Sequence, residues 1–336
     1  MLAYVLRRLL WTVLVVWVIT VITFLLSHVI PANPAAAAAG VGATPAQIHA
    51  LAVKMGLQLS LLTQYGDYIK GLVFHFDLGN SISTGDPVRT DIANYLPATI
   101  ELVLVSFVVY LILSVVLGTL AARNRGGIAD GVIRVFSILS SAAPVFWIAL
   151  LLQLVFFAKL NWLPSGGRLG IFDTPPPKTT GLYTIDALIH GQFATFLAAV
   201  DHLVIPVTAI VLSLLGVGVR LIRAGVLEEL DQTYVRTAEA KGLRANSILI
   251  RHVLRNALNP FVSVSGIQLG YLFAWIILVE TIVQWPGIGL YAYQSFQSLD
   301  YNPIMGITLV VSVIFVVLNF LIDLLYPLLD PRVKGA

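Results

Sequence analysis

The residues best suited to metal or covalent chemistry are six histidines, His28, His49, His75, His190, His202 and His252, and they are scattered. None belongs to an H-E-x-x-H pair, the spacing that sets two imidazoles on one helix face over a zinc ion. His75 with Asp77 comes nearest to a site, and a solvated loop histidine is the simpler reading of it. There is no cysteine, which removes disulfides, thiolate ligands and cysteine nucleophiles together. No G-x-x-x-x-G-K-[ST] segment occurs, so the chain lacks the backbone-and-lysine cradle that phosphates need and should not hydrolyse ATP by itself. No G-x-S-x-G elbow offers a serine nucleophile either. The sequence therefore points to no catalytic residue, no metal ligand and no bound cofactor of its own.

What it offers instead is a charged surface. Residues 220–257 have helical character but are too polar to cross a membrane. Asp231 is placed to cap a helix over 232–241, its carboxylate accepting orphan backbone N–H groups. Gly242 stands where a left-handed residue would end that helix. Ten residues make a marginal helix in water, so something else must hold it. Ala238 and Ala240 keep it slim, while Arg236, Glu239 and Lys241 surround them with charge. A second helix over 245–257 sets Arg244, Arg251 and Arg255 on one side and Leu249, Val253 and Ala257 on another. Two readings are open at this point: a pair of amphipathic helices on lipid headgroups, or a slim rod that enters a groove on another protein.

The elements that position this surface are apolar. Of 336 residues 58% are hydrophobic and 11% charged, too little polar surface to coat a water-exposed globule. A bilayer span needs about 20 mostly apolar residues, and six such runs are legible, at 9–30, 99–120, 135–157, 203–219, 258–283 and 303–325. The first run resembles a signal peptide in having Arg7 and Arg8 ahead of it and an alanine-rich stretch after it, but its length favours a retained span. Glu101 and Glu280 lie near span ends, where a carboxylate can reach headgroups rather than bear the cost of the bilayer centre. Asp323, near the inner end of the sixth run, is read as salt-bridged or snorkelling. Pro144 interrupts the third run and removes a backbone hydrogen bond, either as a packing kink or as a feature shaping a passage. Gly266 and Gly270 form a small-xxx-small pair, and Gln268 between them is a candidate to face a path through the membrane.

Lysine and arginine orient the spans. Fourteen lie on one set of connecting segments and six on the other, which includes two long loops. The positive-inside rule then puts both termini in the cytoplasm. With a net charge of only +3, nucleic acid is not an expected partner. The first external loop has helix-like pieces around 46–55 and 61–73; the second carries the rigid Pro175-Pro176-Pro177. Both loops either cap the bundle or meet a soluble partner. Trp285 ahead of Pro286-Gly287 suits an interfacial aromatic belt followed by a turn.

One family carries these features in the same order. Tyr234-Val235-Arg236-Thr237-Ala238-Glu239-Ala240-Lys241-Gly242-Leu243, followed by Arg251-His252-Val253-Leu254-Arg255-Asn256-Ala257-Leu258-Asn259-Pro260, closely resembles the EAA loop of ABC-importer permeases, in the version of the dipeptide/oligopeptide/nickel family. Leu6-Arg7-Arg8-Leu9, Leu96-Pro97-Ala98-Thr99-Ile100-Glu101-Leu102, Glu280-Thr281-Ile282 with Trp285-Pro286-Gly287-Ile288-Gly289, and Leu329-Asp330-Pro331-Arg332-Val333 extend the resemblance along essentially the whole chain, in the pattern of the first, B-type permease of such systems. The general motif places its Glu at Arg236, its two Ala at Thr237 and Ala238, its Gly at Gly242 and a proline at Arg255; Arg236, Thr237 and Arg255 depart from it as the peptide subclass does.

The resemblance implies an all-α polytopic membrane protein of six transmembrane helices with the type I importer fold. It divides the chain into an N-terminal transmembrane helix (1–30), an extracytoplasmic segment (31–96), a five-helix core (97–327) holding the coupling loop 220–257, and a cytoplasmic tail (328–336). It implies a homologous second permease, two ATPase subunits carrying ATP and magnesium, an external substrate-binding protein and a place in the inner membrane. Coupling would run through Tyr234, Arg236, Thr237, Ala238, Glu239, Ala240, Lys241, Gly242, Arg251 and Arg255, and the path past Pro144 and Gln268. The rival class is a secondary, ion-coupled transporter, which usually needs titratable groups near the midplane.

Overall fold

The computed structural model describes residues 2–29, 34–40, 42–54 and 56–329. The tail expected at 328–336 lies, from 330 onward, outside the described residues. The described chain is helical, with one isolated antiparallel bridge between Asn80 and Pro87. In order come α1 (Leu2–Val29), α2 (Pro34–Ala39), α3 (Pro45–Lys54), α4 (Leu61–Lys70) with a π-turn over Gly71–His75, and α5 (Val88–Arg123). Next are α6 (Ile128–Ala142), α7 (Val145–Leu152) with a π-turn over Gln153–Lys159, α8 (Tyr183–Ile189) and α9 (Phe193–Leu230). Then follow α10 (Thr233–Ala240), α11 (Ala245–Ile248) with a π-turn over Leu249–Val253, α12 (Leu254–Ile282), α13 (Ile288–Gln297) and α14 (Tyr301–Leu329).

Three helices among the described residues, within α5, α9 and α14, are long and apolar enough to cross a membrane, and up to five if each of two bent pairs counts as one span. The apolar stretch Leu9–Leu25 of α1 is shorter. The third expected span differs most from its reading. Instead of one kinked helix over 135–157 there are two helices meeting at 105°. Ala143 (ψ 136°) and Pro144 (ψ 139°) are both extended. Proline supplies no N–H to continue α6 and pushes the residue before it out of the helical region, and here the result is a corner.

The chain divides into two compact units, one holding residues up to Pro97 with Gly287–Phe320, the other Ala98–Pro286 with the rest of the last helix. In the first, a core of Leu78, Val88, Ile92, Ile288, Tyr291, Ile307 and Leu309 sits beneath the 79–87 loop. Two buried carboxylates staple that loop. Asp300 Oδ2 accepts from Ser81 Oγ (2.7 Å) and from the Ile82 and Ser83 amides (2.7 and 2.9 Å). Asp91 Oδ2 accepts from Thr84 Oγ1 (2.7 Å) and Tyr291 Oη (2.6 Å), and the Tyr291 ring stacks on Tyr95.

In the second unit α9 is the axis, packed by α6, α7, α8 and α12. Small residues permit this. A Cβ on Gly216 would lie 2.0 Å from Ser141 Oγ, and one on Gly218 2.1 Å from Ser114 Oγ. One on Gly118 would lie 2.6 Å from Ile222, and one on Gly225 3.1 Å from the Ala257 carbonyl oxygen. Close approaches of α9 are thus made at these positions.

Two expectations about span ends are corrected. Glu101 does not reach toward headgroups: it is 2% exposed and accepts from Arg168 Nη2 at 2.6 Å and from the Thr184 amide and hydroxyl at 2.7 Å each. Trp285 is 1% exposed, its Nε1 donating to the Ala98 carbonyl at 2.9 Å, so it anchors packing instead of sitting in an interfacial belt. Glu280 is likewise fully buried, accepting from Thr99 Oγ1 at 2.6 Å. A buried charge must be paired or hydrogen-bonded, and partners distant in sequence meet that need here.

Candidate functional site

The segment singled out in the sequence forms a platform at one end of α9 and α12. Helix α9 runs 38 residues, about 57 Å at 1.5 Å per residue. It continues past Val219, where composition suggested an end, because Ile222 and Val226 keep its inner face buried. Asp231 therefore serves as the C-cap of α9, its N–H on the Glu229 carbonyl, and not as the cap of the next helix. Gln232, extended and without a side-chain cap bond, takes the N-cap place of α10, which covers Thr233–Ala240 instead of 232–241.

The far end of α10 follows expectation. Gly242 has φ +75°. The Leu243 amide donates to the Ala238 carbonyl (3.2 Å) and the Gly242 amide to that of Glu239 (2.8 Å), the paired bonds of a Schellman stop. Eight residues cannot hold a helix in water alone. A polar clamp and an apolar underside hold this one. Tyr234 Oη donates to Glu229 Oε2 at 2.5 Å, and Asn256 Nδ2, from the first turn of α12, donates to Tyr234 Oη at 3.3 Å and to Glu229 Oε2 at 3.4 Å. Burial, then the Glu229 carboxylate, push the Tyr234 phenol above its ordinary range. Beneath, Val235 and Ala238 are buried, as are Val226, Ile248, Val253 and Ala257 on the neighbouring elements.

The second helix expected at 245–257 is not separate. Its π-turn over Leu249–Val253 runs directly into α12. Helices α9 and α12 thus both end in this platform. Asp130 adds a third tie: Arg223 grips it through Nε (2.7 Å) and Nη2 (2.8 Å), with Arg134 Nε at 3.4 Å and the Gly126 amide at 3.0 Å. A bidentate arginine–carboxylate pair fixes direction as well as distance, here between the start of α6 and the last turns of α9.

Of the ten residues proposed from sequence, Arg236, Thr237, Glu239, Ala240, Lys241, Gly242, Arg251 and Arg255 are exposed together with Arg244 and Ile250. Tyr234 is half-buried in the clamp and Ala238 faces inward. Sequence reasoning missed Glu229, Asn256 and Val235, which hold the rod in place. Pro144 lies at the α6–α7 corner; Gln268 is half-buried on α12, which packs on α7 and α9. His75 and Asp77 share a small polar pocket with Asn80 and Arg89, and no cluster of three metal-ligating side chains occurs among the described residues.

A slim capped helix that projects charge from the ends of two long helices is suited to relaying movement. Comparison with known proteins agrees. The family described as "Binding-protein-dependent transport system inner membrane component" matches residues 114–335, and its N-terminal companion, "Binding-prot-dependent transport system membrane comp, N-term", matches 1–103. The chain belongs to this family. It is a permease subunit of an ABC importer, with ATP hydrolysis on separate subunits, and the ion-coupled alternative is set aside. The permease is 39% identical over 330 residues to the probable D,D-dipeptide transport system permease protein of Escherichia coli (strain K12), covering 98% of this chain and 97% of that one. To the dipeptide transport system permease protein of Alkalihalophilus pseudofirmus it is 39% identical over 334 residues (99% and 100%), and to that of Escherichia coli (strain K12) 35% over 337 residues (99% of each).

Proposed function

We propose that this permease carries peptides or similar small solutes inward, with α10 as the rod that couples it to ATPase subunits. The exposed Arg236–Lys241 edge of a helix clamped to α9 and α12 by Tyr234, Glu229 and Asn256 carries the reading. Docking would use Arg236, Thr237, Glu239, Ala240 and Lys241, flanked by Arg251 and Arg255, while Ala238 and Gly242 set the rod's seat and stop.

Two ATPase subunits, holding ATP and magnesium, would close on nucleotide and push α10. Helix α9 exceeds the ~30 Å hydrocarbon core, so it can carry that push through the bilayer. A homologous second permease would supply the other wall of the path, which here would include the Pro144 corner and Gln268, and an external binding protein would deliver the solute. The peptide class rests on the names of the relatives. Six spans, both termini in the cytoplasm of an inner membrane, and the division 1–30, 31–96, 97–327 and 328–336 complete the proposal, supported by the 14-to-6 distribution of basic residues.

The test exploits the absence of native cysteine. Glu239→Cys should form a crosslink to an ATPase subunit in the assembled transporter, and uptake of a labelled dipeptide into vesicles should need ATP with ion gradients collapsed. Crosslinking to lipid alone, or uptake without ATP, would overturn the reading.

A further inference from the structure

The segment from α4 to Phe76 exposes apolar surface that the transport function does not use. Helix α4 packs one face on α1. Tyr65 and Tyr68 surround Phe24, with ring centroids 5.2 and 5.9 Å away, and Thr20 Oγ1 lies 2.9 Å from Tyr65 Oη. Beyond α4 the chain makes a π-turn held at both edges, by Leu72 packed on the Leu78 core and by Leu78 within it. Between these anchors Val73, Phe74 and Phe76 are turned outward, 66%, 77% and 67% exposed. Leu62, on α4 itself, is 84% exposed.

Phe76 sharpens the point. Its φ of +51° is left-handed, a conformation bulky residues seldom adopt and which costs of order 1 kcal/mol or more. The Phe76 amide and the Asp77 amide both donate to the Gly71 carbonyl, which fixes the turn. Among the described residues little covers the ring, which is 67% exposed, to offset that cost.

We propose that Leu62, Val73, Phe74 and Phe76 form an interfacial anchor, inserted among the lipids of the leaflet where α1 leaves the bilayer. The surface is continuous with a lipid-facing one: α1 exposes Trp17, Val18, Ile22 and Leu25 on the same helix to which α4 is pinned at Thr20 and Phe24. That contact lies in the last third of α1, which fixes the depth of α4 near the membrane boundary. Aromatic rings are favoured at that level. Thr63, Asp67 and Lys70 are exposed on α4 and supply the polar face such a segment needs. The anchor would hold the first external segment against the bilayer, so that movement of α1 and of the 79–87 loop stays coupled. The proposal rests on α1 crossing the membrane.

Because the chain has no cysteine, single thiols can carry an environment-sensitive fluorophore. The permease, purified with its accompanying subunits, is placed in phosphatidylcholine–phosphatidylglycerol vesicles and labelled at Phe74→Cys, Thr63→Cys or Val18→Cys. Quenching is read from nitroxide-bearing phospholipid and from aqueous iodide. The label at 74 should lose most of its emission to the lipid quencher and little to iodide, with the reverse at 63. If 18 is quenched by lipid but 74 only by iodide, the anchor is wrong while the span stands. If 74 is shielded from both, a protein covers it and the anchor is wrong again. If 18 too escapes the lipid quencher, α1 does not cross and both readings fall.

Discussion

The Tyr234 hydroxyl donates to the Glu229 carboxylate at 2.5 Å across the single turn that separates α9 from α10. The bond joins the last turn of a 38-residue helix to the eight-residue helix that follows it. Removing it with Tyr234→Phe forfeits about 1 kcal/mol of the clamp, while Val235 and Ala238 still seat the rod. Uptake should fall several-fold while basal ATP hydrolysis by the assembled transporter persists. The bond should also be indifferent to ordinary pH. The phenol is held above its usual value of 10.0, first by burial and then by Glu229. A raised acid contributes fully below its unfolded value and loses that contribution only as pH climbs past the folded one. The ratio of wild-type to Tyr234→Phe uptake should therefore stay flat from neutrality to about pH 9; a ratio that collapses in that range would refute the assignment.

Arg168 holds the second expectation. Its guanidinium is 3.5 Å from the Tyr183 ring centroid, and its Nη2 donates to Glu101 and to the Gly181 carbonyl (2.8 Å). Arg168→Met leaves Glu101 buried with only Thr184 for company, a loss of about 3–5 kcal/mol by the usual cost of breaking a buried pair. The thermal midpoint in detergent should drop markedly. Adding Glu101→Gln should recover part of it, since the stranded charge is gone. Arg168→Lys should fall between, because an ammonium can still donate to Glu101 but has no planar face to lie over the Tyr183 ring. Equal midpoints for the Met and double variants would contradict the pairing.

How much of this was legible follows from range. Apolar runs announce themselves locally, so the long helices could be read from composition. Their ends could not, because α9 continues over Arg220, Arg223, Glu228 and Glu229, residues that read as loop. Spacing offered a better signal than polarity: Val219, Ile222 and Val226 keep a helical stripe going and are all buried. Gly242 was legible because a left-handed stop is a one-residue property. Glu101 and Trp285 were misread because their partners lie 67 and 187 residues away. For the platform around α10, the exposed charges were visible in the sequence, and the clamp under them, Glu229 to Asn256, was not.

Gly242 and Ala238 fail in different ways when replaced. A Cβ on Gly242 would meet nothing within 4 Å, so only its φ of +75° resists a side chain. Gly242→Ala should weaken the stop by about 1 kcal/mol, and Gly242→Asn by less, since asparagine tolerates that region. Ala238 is 8% exposed, so Ala238→Leu must lift the rod off its seat. Uptake should rank wild type, then Gly242→Asn, Gly242→Ala and Ala238→Leu, at equal membrane levels of the subunit. A Gly242→Ala variant worse than Ala238→Leu would mean that the rod's end, and not its seat, carries the docking.

Asp186 ties the loop over 179–182 to the start of α8. It is 1% exposed and accepts from the Thr180 amide and hydroxyl (2.7 Å each), the Gly181 amide (2.8 Å) and the Thr179 amide (3.3 Å). Burial alone pushes its carboxyl up, but these four donors together outweigh it and leave it below the ordinary 3.8. A lowered carboxyl stabilises above its unfolded value and loses that contribution only as pH falls through the still lower folded one. Hydrogen-exchange protection of the 179–181 amides, corrected for intrinsic rates, should thus hold steady between about pH 5 and 8. Asp186→Asn exchanges an acceptor-only group for one with a single acceptor oxygen and strands at least one donor. Exchange there should quicken about tenfold, the equivalent of about 1.4 kcal/mol. Protection that already fades at pH 6, or survives in the asparagine variant, would show that the loop is held by something other than this carboxylate.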